Sequence, residues 1–240
     1  MKKDGKNISY SFVALVLCIV LMYSICFMSL GKGISGEDYV NAAAKAEKMT
    51  VIVDAGHGGE DCGTIGVSGV YEKDLNLEIA FKLGEYLSSA GFDVVYTRTE
   101  DKLLYTEEQN IKGMRKINDL KNRMKIANSY TNAVFVSIHM NFYGSSECSG
   151  LQVYYGIDGD KSKRLADGIQ SEVVTRVQPT NKRKIKSGNG LYLLENSLNP
   201  AVLIECGFLS NPDECEKLSE KEYQKELSFA ILCGIIKYVK

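Results

Sequence analysis

Thr50-Val51-Ile52-Val53-Asp54, running into Ala55-Gly56-His57-Gly58-Gly59, is the stretch on which the architecture turns. An unbroken apolar run of this length, closed by glycines, reads as a strand buried on both faces, as in a parallel sheet. A second run, Ala133-Val134-Phe135-Val136-Ser137-Ile138, leads into His139-Met140-Asn141, and a third, Ala201-Val202-Leu203-Ile204, ends on Glu205. His57 and His139 are the only 2 histidines of the 240-residue chain. In open α/β sheets the ligand crevice lies outside the carboxyl ends of the parallel strands. Two imidazoles and a carboxylate, far apart in sequence, are therefore expected at one sheet edge.

The rest of the chain fits that frame. Strands and helices alternate from Met49 onward, which predicts one α/β domain with a mostly parallel, twisted sheet flanked by helices in three layers. Leu75, Ile79, Leu83 and Leu87 recur every fourth residue on a helical face, with Glu78 and Lys82 paired outside and Gly91 as the stop. A strand is expected at Asp93–Thr97, a surface excursion from Arg98 to Arg115, a helix over Ile117–Ser129 and a strand over Leu151–Tyr155. Leu165, Ile169 and Val173 mark a further helix. Asn211-Pro212-Asp213-Glu214 and Ser219-Glu220-Lys221-Glu222 read as two capping boxes, the second opening a helix that turns Leu227, Ile231 and Ile235 inward.

The amino-terminal 30 residues are different in kind. Lys2, Lys3 and Lys6 precede an apolar stretch from Ile8 to Leu30 that carries no charge. Such a run can cross a bilayer with its amino terminus inside, as an anchor or as a cleaved signal. Residues 1–30 are thus expected to export the chain, 31–48 to link, and 49–240 to form the domain. The protein is placed on the outer face of the membrane, anchored or secreted. A net charge of −1 and the lack of a basic patch with interleaved aromatics argue against a nucleic-acid partner. The 7 cysteines include Cys18 and Cys26 in the apolar stretch, leaving an odd set without CxxC spacing. That pattern reads as small buried residues rather than a disulfide framework.

A catalytic zinc takes about three protein ligands and keeps a position open for water, whose pKa it lowers to about 7. His57 and His139 can supply two ligands; Asp54, Glu60, Asp61 and Glu72 compete for the third. Glu72 is favoured because it stands at the start of the helix after the glycine-rich loop. Glu205 would then be free to take a proton from water and pass it to a leaving group. Singly, each residue has an ordinary structural explanation, such as dipole compensation for Glu72. Jointly, three such groups at strand ends would be costly to bury without a common purpose.

Four motifs also carry a resemblance: Val53-Asp54-Ala55-Gly56-His57-Gly58-Gly59, Glu72-Lys73-Asp74, Ser137-Ile138-His139-Met140-Asn141 and Pro200 through Asn211. Their order and content resemble the zinc-dependent N-acetylmuramoyl-L-alanine amidases (amidase type 3) from Met49 to Lys240. The resemblance implies an amidase/phosphorylase-like fold, Zn2+ on His57, Glu72 and His139, and Glu205 as the catalytic glutamate. It implies cleavage of the amide between the lactyl group of muramic acid and the L-alanine of the peptidoglycan stem. A minimal catalytic domain behind one apolar segment is most similar to the germination-specific members that prepare spore cortex, which would place it in the forespore intermembrane space. Stem peptides carry carboxylates, so Arg98, Arg183 and Lys186 are expected as anion contacts. Cys206 and Lys184 depart from the family pattern, which bears on substrate positioning. An accessory protein that loads or opens the site, or a non-catalytic peptidoglycan-binding role, is the alternative.

Overall fold

In the computed structural model, residues 48–157 and 159–239 are described. The apolar amino-terminal segment, the linker up to residue 47, Cys18 and Cys26 lie outside them. None of the described helices is long and apolar enough to cross a membrane.

The elements follow in the order β1 (Thr50–Ala55), α1 (Glu72–Ser89), β2 (Asp93–Tyr96), a 3₁₀ turn (Glu107–Gln109), α2 (Arg115–Ala127), β3 (Ala133–Asn141), β4 (Gln152–Tyr155), α3 (Asp160–Arg176), β5 (Lys186–Ser187), α4 (Tyr192–Asn196), β6 (Ala201–Phe208), α5 (Pro212–Ser219) and α6 (Lys221–Val239). They build one six-stranded sheet in the order β2-β1-β3-β6-β4-β5. β2, β1, β3 and β6 run parallel, whereas β4 pairs antiparallel with β6 and carries β5 with it. The sheet is therefore mostly parallel, as expected, but mixed, because the pairing of β4 with β6 is antiparallel. A short strand's side-chain pattern has the same period of two in either direction, so β4 gave no sign of its reversal.

Both faces are covered, unequally. The larger core packs Val51, Val53, Val134, Val136, Val202 and Ile204 against α1, α3, α5 and α6. The predicted stripe Leu75, Ile79, Leu83 and Leu87 is buried there, each side chain contributing about 1.5–3 kcal/mol relative to exposure. The smaller core packs Ile52, Phe135 and Leu203 against Met124 and Ala127 of α2 and Leu193 and Leu194 of α4. With only two helices, one of them short, this thinner layer leaves room for a groove that runs to the strand ends.

Helix α1 ends as expected. Gly91 has φ +92°, its N–H donates to Ser88 O, and Phe92 N–H donates to Leu87 O, closing a Schellman motif. Asn211 caps α5 by accepting from Glu214 N at 3.1 Å. The reciprocal half of that box is missing: the Glu214 carboxylate instead accepts from Phe208 N and Gly150 N, both at 2.8 Å. The second box does not form, because Ser219 Oγ donates back to Cys215 O and α6 follows α5 without a free cap. Glu78 does not pair with Lys82 through its carboxylate; it accepts from Gln224 Nε2 on α6 at 2.9 Å. All five described cysteines are unpaired, with Cys206 and Cys215 fully buried.

Candidate metal centre and active site

The parallel register brings the site together. β3 lies between β1 and β6, and His139 is the direct cross-strand partner of Glu205. His57 follows β1 by two residues and adopts φ +62°, a left-handed backbone that turns its ring over the strand ends. Glu72, the first residue of α1, projects back from the helix start and is 3% exposed. Its Oε1 lies 3.2 Å from His57 Nε2 and 3.0 Å from His139 Nδ1. Ligand atoms of His57, Glu72 and His139 all lie within 4.8 Å of one another. Among the four rivals for third ligand, Glu72 alone sits between both imidazoles.

The others are occupied elsewhere. Asp54 is fully buried beneath the site and accepts from Thr97 Oγ1, Arg123 Nη1 and Ser137 Oγ. Glu60 pairs with Arg115 at the surface. Asp61 Oδ2 sits 2.9 Å from His57 Nδ1 and 3.1 Å from Lys116 Nζ. That contact engages one ring nitrogen and leaves Nε2 turned toward Glu72, the second carboxylate arrangement that metal-binding histidines favour.

Backbone donors complete the cradle. Thr64 N donates to Glu72 Oε2 at 2.8 Å and Met140 N to Oε1 at 3.1 Å. Burial alone would raise the Glu72 pKa, but its hydrogen bonds with His139 and His57 hold the carboxyl far below the usual range. Burial would lower that of His57, yet its bonds with Asp61 and Glu72 lift it to about 9. Gly56 leaves room for one ring: a Cβ there would stand 2.2 Å from His139 Cε1.

Glu205 contrasts with these paired groups. Its Oε2 is buried without a hydrogen-bond partner. Burial pushes its pKa up; His139 opposes this and Glu72 adds to it. A carboxylate kept from forming salt bridges beside two imidazoles is suited to exchanging a proton.

The three expected cations are dispersed. Arg98 is 2% exposed and spends its donors on the carbonyls of Ala55, Gly56, Lys73 and Glu100, locking the loops around the site. Arg183 stacks 4.4 Å over Phe208 and donates to Ser149 O. Lys186 is exposed on the edge strand β5. None of the three lines the two grooves that meet at the triad; Lys116 lines both. Sequence reasoning passed over Lys116 and the buried pair Asp119–Arg123, although their i, i+4 spacing within a predicted helix was visible.

The donor set itself tests whether a metal fits. Two imidazoles and one carboxylate converge from three separate elements, an outer carboxylate orients one ring, and a close glycine makes space for the other. Such N/O sets suit zinc and its neighbours.

Comparison with known proteins agrees with this geometry. The family model described as N-acetylmuramoyl-L-alanine amidase matches residues 51–237. The germination-specific N-acetylmuramoyl-L-alanine amidase of Bacillus subtilis is 37% identical over 188 residues, covering 78% of each chain. The CwlD amidase of Clostridioides difficile, solved in complex with the GerS lipoprotein, superposes with a TM-score of 0.77 at 42% identity, covering 80% of this chain and 98% of that one. An N-acetylmuramoyl-L-alanine amidase of Clostridium difficile 630 superposes with a TM-score of 0.70 at 36% identity, covering 81% of this chain and 98% of the other. With a metal-competent triad at its strand ends, this chain belongs to the N-acetylmuramoyl-L-alanine amidase family.

Proposed function

We propose that the protein is a zinc amidase that cleaves the bond between N-acetylmuramic acid and L-alanine in peptidoglycan, with Glu205 as its catalytic acid and base. The observation that carries this is the junction of a two-histidine, one-carboxylate triad with a half-buried carboxylate on the neighbouring strand whose Oε2 is buried and unpartnered. His57, Glu72 and His139 would hold the ion. When bound, Zn2+ supplies Lewis acidity toward the scissile carbonyl and acidifies water.

The chain's own groups do the remaining work. Glu205 takes a proton from the attacking water, and its raised pKa keeps that proton available for the departing alanine nitrogen. Asp61 fixes the His57 ring, while Thr64 N and Met140 N fix Glu72, so the three ligands are set before the reaction. Arg98 holds the carbonyls of Ala55 and Gly56, which carry the loop bearing His57.

The biological reading is a role in spore cortex maturation, supported by the identity to the germination-specific amidase. The domain is proposed to span residues 49–240, exported by residues 1–30 and joined through 31–48. A lipoprotein or other accessory partner is proposed on the strength of the complex formed by the CwlD relative. Chelated protein reloaded with zinc should release free stem peptides bearing a new amino-terminal alanine, with no new reducing sugar ends. Release of reducing ends, or of peptides without amino-terminal alanine, would overturn the reaction assigned.

A further inference from the structure

Two grooves of opposite character meet at the triad. One, of about 270 Å³, runs between α2 and the segment that opens α4, and Leu120, Leu191, Tyr192, Leu193 and Leu203 give it apolar walls. The other passes over Thr64 of the loop before α1, over Asn141 and Phe142 at the end of β3, and over Glu205 of β6. His57 and His139 line both, but Glu205 lines only the second. Tyr192 is 38% exposed at the first groove and Phe142 48% exposed at the second.

We propose that the substrate crosses the triad in one direction, with the muramoyl residue in the Tyr192 groove and the stem peptide over Asn141 and Phe142. The proposal rests on the amidase reading above. Two arguments support it. In amide hydrolysis, water oxygen joins the carbonyl carbon, the C–N bond breaks, and the nitrogen leaves with the proton first taken from that water. The carboxylate that returns the proton must face the nitrogen, so the peptide lies on the side that Glu205 lines. Second, the stem peptide carries carboxylates, whereas the muramoyl sugar is uncharged. A groove with leucine walls, floored by the Asp54 and Asp119 carboxylates already paired with Arg123, would desolvate the peptide's charges without compensating them. It suits the apolar face of a sugar laid against Tyr192. Lys116, at the junction, is the cation in reach of the first peptide carboxylate.

The test compares two soluble substrates that share one peptide: N-acetylmuramoyl-L-alanyl-D-isoglutamine, and the same peptide acylated by lactate alone. Zinc-loaded wild type, Tyr192→Ala and Phe142→Ala are assayed on both, with metal content and thermal melting as controls. Tyr192→Ala should lower kcat/KM about tenfold for the muramoyl substrate, the scale of one lost apolar contact, and leave the lactoyl substrate within about twofold. Phe142→Ala should affect both substrates alike. Equal loss or no loss on both substrates with Tyr192→Ala, or a sugar-selective loss with Phe142→Ala, would overturn the orientation. Wild type that cleaves neither substrate and releases no stem peptide from intact peptidoglycan, both alone and with cell extract added to supply an accessory partner, would refute the amidase reading instead.

Discussion

Replacing Arg123 with methionine should cost the domain more than any single change at its surface. The guanidinium is 1% exposed and sits beneath the site. Its Nε donates to Asp119, Nη1 to Asp54 and Ala55 O, and Nη2 to His57 O, each at 2.7 Å. Methionine fills much of the volume but leaves two carboxylates buried without their cation. Breaking a buried pair in this way costs about 3–5 kcal/mol. At a urea m-value of about 2 kcal/mol per molar, a loss of about 4 kcal/mol lowers the midpoint by about 2 M. The pH dependence is a sharper signature. Burial would raise the Asp54 pKa, but Arg123, with Ser137 and Thr97, brings it below the ordinary 3.8. In wild type this group's stabilisation is full above that ordinary value and is lost as pH falls through the lowered native one. Without Arg123 the balance tips toward burial, so Asp54 should bind a proton on folding and the deficit should shrink on acidification from pH 7 to about 4. Urea melts of both proteins at several pH values measure this. A deficit below about 1 kcal/mol, or one that does not change with pH, would refute the reasoning.

Further perturbations probe the triad from other sides. Asp61→Asn removes the charge that orients His57 and should weaken zinc binding about 10–100-fold in a chelator competition, with urea stability of the metal-free form far less affected. Gly56→Ala places a methyl 2.2 Å from the His139 ring, so metal titration should show loss of stoichiometric zinc while circular dichroism stays native. In metal-free protein His57 titrates at about 9, above its ordinary 6.5. Its stabilisation is therefore full below pH 6.5 and lost as pH rises through about 9. Over that interval apparent zinc affinity should climb as the competing proton leaves, which calorimetry in buffers of different ionisation heat would detect.

The legibility of this molecule followed the range of its determinants. β1, β3 and the α1 stripe are written in local periodicity, and the structure buries those residues as expected. Placing His57, His139 and Glu205 on one edge needed only the rule for parallel strand ends. Glu72 was harder, because its distance from the imidazoles depends on how residues 58–71 return over the sheet, which spacing does not encode. The same holds for Arg98. A charged residue in a polar stretch reads as exposed, yet the backbone carbonyls of Ala55, Gly56 and Lys73, all distant in sequence, converge on it together with that of nearby Glu100. Glu214 shows how a local motif can be outbid: the backbone donors of Gly150 and Phe208 offered its carboxylate two bonds where the capping box offered one.

The central claim is that one carboxylate moves the proton while three other residues hold the metal. The measurement that tests it most directly is zinc content and stem-peptide release on the same preparation of wild type and Glu205→Ala, with purified peptidoglycan as substrate. Full zinc in both proteins, with release by wild type and a loss of about 10²–10⁴-fold in the variant, is the predicted result. Release by Glu205→Ala at the wild-type rate, or loss of its zinc together with its activity, would contradict the separation of roles.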